Sequence, residues 1–60
     1  MIDQIDLKIL SILQNNGRAR LADIAEVVDL SAPAVMERVK KLEGGGIIKG
    51  YQAVVDSKKV

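Results

Sequence analysis

The 60-residue sequence has no cysteine, histidine, tryptophan or phenylalanine, and only one tyrosine and one proline. Without cysteine there are no disulfides and no thiolate–zinc staples, although a chain this short buries only about 60% of its unfolded surface. Stability therefore has to come from aliphatic packing or from a partner. Acid–base chemistry is left to eight Asp and Glu side chains, the tyrosine and the lysines, and the hydroxyl nucleophiles are Ser11, Ser31 and Ser57. That repertoire argues against an enzyme, a metal site or a cofactor site. Long apolar runs are also missing, and none approaches the roughly 20 residues that cross a bilayer. No basic, apolar, small-residue leader stands at Met1, so the expectation is a cytoplasmic chain with no membrane partner.

What is present is aliphatic and unevenly charged. Residues 1–30 carry three basic and five acidic side chains, whereas residues 31–60 carry six basic and three acidic. A C-terminal half of net +3 suits an anionic partner, and ordinary solvated surface accounts for it equally well.

Asp3 followed by Asp6 reads as a helix N-cap with an acid at the third position, ahead of an apolar arc of Ile5, Ile9, Leu10 and Leu13. This predicts helix 1 over about 3–15, with Ile2 as a staple and Leu7 and Ile12 on the flanks. Asn15-Asn16-Gly17 ends it, with Gly17 as the expected left-handed residue. Leu21, Ile24, Ala25 and Val28 predict helix 2 over about 21–28. Ser31-Ala32-Pro33 is a strong helix start, a hydroxyl cap with proline in the first turn, and predicts helix 3 over about 32–43. Val35, Val39 and Leu42 form its apolar stripe; Pro33, Ala34, Glu37, Lys40 and Lys41 form the opposite arc, and Gly44-Gly45-Gly46 stops it. The β-branched stretch over about 47–55 predicts one kinked strand or a small hairpin. Residues 56–60 look like the start of a linker, so 1–55 is the expected domain.

Two helices joined by the short turn Asp29-Leu30-Ser31, the second bearing a basic outer arc, match the helix-turn-helix arrangement that places the second helix in a major groove. A generic three-helix bundle uses the same Ala, Leu and Val positions. Beyond this pattern, Asp3-x-x-Asp6-x-x-Ile9-Leu10-x-x-Leu13, Gly17-Arg18, Ile24-Ala25, Val28-x-Leu30-Ser31, Arg38-Val39-x-x-Leu42-Glu43 and Ile48-x-Gly50-Tyr51-x-Ala53 together resemble the N-terminal DNA-binding domain of the Lrp/AsnC transcription regulators. The resemblance runs from Ile2 to about Val55. It implies a mainly α, winged-helix-like three-helix domain with a short C-terminal β-strand or hairpin, double-stranded DNA as partner, and a nucleoid-associated regulator. The family's separate effector-binding domain is not matched, so no small-molecule effector site is expected in this chain. Asp29 stands where the family usually has glycine, and Arg20 where helix 2 commonly has a Ser or Thr cap. Each departure costs on the order of 1 kcal/mol. The triple glycine is richer in glycine than the usual family segment.

Candidate DNA contacts follow from the pattern and the resemblance. Ser31, Ala32, Pro33 and Ala34 form a small-residue helix N-terminus that suits a phosphate. Glu37 either accepts from a cytosine amino group or pairs locally with Arg38 and Lys41. Arg38 either reaches DNA or buttresses an acid on helix 1. Lys40 and Lys41 are phosphate clamps, Lys49 a wing-type candidate, and Arg18 and Arg20 backbone contacts near the first turn. One copy promises weak specificity, so a homodimer is expected, with Leu7 and residues 51–55 as its surfaces. The competing reading is a winged-helix protein-interaction module that does not bind DNA.

Overall fold

A computed structural model of the chain describes residues 2–53 and 55–58. Met1, Val54 of the expected strand, and Lys59 and Val60 of the expected linker lie outside the described residues. Three helices follow in order, α1 (Gln4–Asn15), α2 (Leu21–Val28) and α3 (Ala32–Gly44).

Each helix start is explained locally. The Asp3 carboxylate accepts from the Asp6 backbone N–H at 2.8 Å, and the Asp6 side chain accepts from the Asp3 N–H at 3.3 Å, a reciprocal capping box. Ser31 Oγ accepts from the Ala34 N–H at 3.3 Å at the head of α3, and Pro33 lies in that helix's first turn. Helix α2 begins on Arg20 without a side-chain cap. Instead Arg20 Nε donates to Asp23 at 3.2 Å across the first turn.

The turn between α2 and α3 closes on Asp29, whose φ of 58° and ψ of 46° are left-handed. The Leu30 N–H then donates to the Ala25 carbonyl at 3.0 Å, one of the bonds that satisfy a helix carboxyl end. Leu30 packs against the core formed by Ile9, Ile24, Ala25, Val28 and Val35. Ile9, Ile24 and Val35 are its fully enclosed side chains. Ile12, expected on a flank of α1, also packs on this core, whereas Leu7 is exposed.

Two sequence expectations are corrected. Gly17 is not left-handed: α1 ends on Asn16 in an extended conformation, with its N–H donating to the Ile12 carbonyl at 2.9 Å. No strand or hairpin forms over 47–55 among the described residues. The cause lies at the end of α3, where Gly46 takes a φ of 78°. This turns the chain so that the Gly46 N–H donates to the Glu43 carbonyl at 3.1 Å, and the N–H groups of Ile47 and Ile48 both reach the Leu42 carbonyl at 3.0 Å. Those β-branched residues spend their backbone donors capping a helix, and donors so used cannot build a ladder. Among the described residues the chain beyond them has no neighbouring strand to pair with, and an unpaired strand is not stable in water.

Candidate nucleic-acid interface

A rotation of about 100° per residue divides α3 into a buried and an outward side. Val35 and Leu42 are buried, Val39 is half-buried, and Pro33, Met36, Glu37, Lys40 and Lys41 are exposed. Pro33, Met36 and Lys40 fall at i, i+3 and i+7, one row along the outward face. Ala32 and Ala34 are half-buried, so they flank this face.

Among the described residues, Glu37, Lys40 and Lys41 make no ion pair. The local pairing considered for Glu37 is therefore not formed, and both lysines stand exposed. Arg38 behaves differently. Its Nη1 donates to Asp3 at 2.7 and 2.9 Å and to Asp6 at 3.1 Å, tying α3 to the start of α1. Asp6 is nearly enclosed, and Arg38 satisfies its second oxygen. The Arg38 guanidinium, followed by the Asp6 N–H, holds the Asp3 carboxyl below the usual carboxylate range. The two carboxylates in turn raise the Arg38 pKa.

The remaining candidates are spread around the molecule. Arg18 is exposed in the turn between α1 and α2, where its N–H donates to the Asn16 side chain at 3.1 Å. Arg20, 82% exposed at its side chain, leans on Asp23. Lys49 lies on the irregular segment after α3, beside a shallow groove of about 400 Å³ lined by Leu13, Gln14, Gly17 and Tyr51. There is consequently no wing to carry it among the described residues. Tyr51 fastens this segment: its hydroxyl donates to Glu43 at 3.0 Å, and its ring lies over Gly17. Burial, then the Glu43 carboxylate, raises the Tyr51 pKa.

Sequence reasoning missed Met36 because it assigned α3 from its apolar stripe and its charges. The signal was present in the spacing, since an apolar residue one turn after Pro33 and one turn before Lys40 cannot face the core. It also left the role of Arg38 open, because a contact across 35 residues has no local signature.

The arrangement is that of a helix-turn-helix, and the sequence profile of the AsnC-type helix-turn-helix domain matches residues 2–43. This chain belongs to that family. A leucine-responsive regulatory protein of Rhizobium meliloti is 46% identical over 56 residues, covering 93% of this chain and 36% of the relative. Among solved structures, a transcriptional regulator of Neisseria meningitidis in complex with L-Met aligns with a TM-score of 0.92 at 37% identity. That alignment covers 98% of this chain and 38% of the regulator. Bacillus subtilis LrpC aligns with a TM-score of 0.88 at 44% identity, covering 98% of this chain and 42% of LrpC. The AsnC-type chain thus spans about two fifths of the length of these relatives. Because the match reaches through α3, the Arg38 tie and the outward row both lie inside the family's domain.

Proposed function

We propose that this chain is the DNA-binding part of a transcription regulator, with α3 seated in the major groove of double-stranded DNA. The observation that carries the reading is the outward face of α3, where Glu37, Lys40 and Lys41 stand exposed without ion pairs among the described residues. Small side chains at Ala32, Pro33 and Ala34 let the first turn of α3 approach the duplex closely, and the N–H groups near Ser31 suit a phosphate. Lys40 and Lys41 supply phosphate contacts, while Arg18, Arg20 and Lys49 supply weaker peripheral ones. Arg38 holds α3 against α1 in this reading rather than contacting DNA. The acting unit is a pair of copies reading half-sites about one helical turn apart, with exposed Leu7 and Val55 as contact surface. Such a role places the chain with the nucleoid in the cytoplasm, with residues 1–55 as the domain and 56–60 leading out of it.

Selection of bound duplexes from a randomised pool, followed by affinity measurements across a salt series, tests this. The expected result is an enriched two-fold symmetric motif with an affinity that falls as salt rises. Lys40→Ala and Lys41→Ala should each reduce the log–log salt slope by about one ion. Absence of binding at low salt would refute the reading.

A further inference from the structure

The geometry points to Met36 as a specificity-determining residue that recognises a thymine C5-methyl group in the major groove. The inference rests on the DNA-binding reading and names what α3 reads. Met36 is 43% exposed and is neither in the core cluster nor among the side chains packed against it. It lies between Pro33 and Lys40 in the outward row, in the half of α3 nearest its N-terminus, where recognition helices contact base edges.

The chemistry of its neighbours narrows what it can do. From Ala32 to Glu37 the sequence is Ala-Pro-Ala-Val-Met-Glu, and Glu37 is the one side chain there with a strong hydrogen-bonding group, the Met36 thioether being a weak acceptor and no donor. Readout by Asn, Gln or Arg is unavailable at these positions. The thymine methyl is the one apolar feature that a base pair presents in the major groove, and apolar side chains recognise it by displacing water. Met36 is the largest apolar side chain on this face, and an unbranched thioether can follow a methyl group without strict register. The small residues beside it remove the steric obstacle to that approach.

The experiment replaces each thymine of the selected duplex in turn by deoxyuridine, which deletes the methyl and leaves every hydrogen-bonding group in place. The parent chain should lose about three- to fivefold in affinity at one position per half-site, the worth of one buried methyl. Met36→Ala should lose that discrimination and keep the salt slope; Met36→Leu should retain it. Because the perturbation is in the DNA, misfolding of a variant cannot imitate the result with the parent chain. The proposal is overturned by a pool that yields no preferred sequence, by a parent chain indifferent to every deoxyuridine, or by a penalty that survives in Met36→Ala. Salt-dependent binding alongside any of these leaves the DNA-binding reading standing; no binding at all removes both.

Discussion

Asp29 offers a decisive test of how the helix-turn-helix is held together, because three effects of known sign meet at one residue. Its left-handed conformation costs a non-glycine residue about 1–2 kcal/mol, toward the lower end for Asp. Its carboxylate also sits at the carboxyl end of α2, where the helix dipole disfavours negative charge by about 0.3–1 kcal/mol. Against these, glycine gives the unfolded chain more freedom, which costs about 0.4–1 kcal/mol. The strain and the dipole together outweigh the entropy, so Asp29→Gly should stabilise the domain by about 0.5–1 kcal/mol, or about 2–8 °C in Tm. Asp29→Asn keeps the tolerance for left-handed backbone and removes only the charge, so it should give a smaller gain that shrinks with added salt. Asp29→Val should destabilise, since a β-branched residue fits that conformation poorly. Thermal melts followed by circular dichroism at low and high salt would measure all three. A glycine variant melting at or below the parent would show that strain and dipole repulsion at the turn do not exceed the entropy cost of glycine.

Three further outcomes follow from the packing and the charges. Ile9 is fully enclosed, so Ile9→Ala should cost about 2–5 kcal/mol. A 60-residue domain has only about 3–9 kcal/mol of net stability, so that variant should melt far below the parent, and a cooperative melt close to the parent's would contradict the core assignment. Asp3 has a folded pKa depressed below its ordinary 3.8, chiefly by Arg38. Its contribution is therefore present above that value and lost as pH falls through the lowered one, and Arg38→Met should shrink this acid-side loss to the part owed to the backbone N–H groups in melts between pH 6 and 2. An unchanged acid profile would mean that the tie to α1 is not formed in solution. Tyr51 is the single tyrosine, so ultraviolet absorbance reports its ionisation alone. Its folded pKa is raised above 10.0, so the stabilisation is present below that value and lost as pH rises through the raised one. A midpoint at or below 10.0 would refute the packing of Tyr51 against Gly17 and Glu43.

The helices were legible because their starts are written in short-range chemistry. Asp3 with Asp6, and Ser31 ahead of Pro33, each fix a helix start within a few residues, and the apolar periods of α1 and α2 leave one choice of inner face. The misreadings arose where a residue's usual preference was overruled by its surroundings. Ile47 and Ile48 carry β-branched side chains that favour strands, yet Gly46 turns their N–H groups onto Leu42. Gly17 looked like a left-handed terminator, but the extended Asn16 closes α1. Ile12 looked surplus to a single-helix arc, but it packs on the core once all three helices surround it.

The Arg38 tie also bears on how the proposed interface must work. Of the basic side chains in the second half of the sequence, Arg38 is committed to two carboxylates at the start of α1, its Asp3 cap and Asp6, which leaves Lys40 and Lys41 as the cations on the outward face of α3. Two such contacts supply only modest electrostatic affinity, since each phosphate neutralised contributes roughly one released counterion. The face ahead of them is apolar and small, with Pro33 and Met36 in the same row, so the discrimination proposed for it rests on methyl contacts and on the shape and bendability of the duplex. Weak attraction combined with limited base readout is tolerable when two copies bind together. The free energies of two half-sites add, and a symmetric site then excludes sequences that either half alone would accept. The charge committed to Arg38 thus favours a rigidly oriented α3 over one more phosphate contact, a choice that suits the proposed pair, in which specificity depends on a fixed geometry.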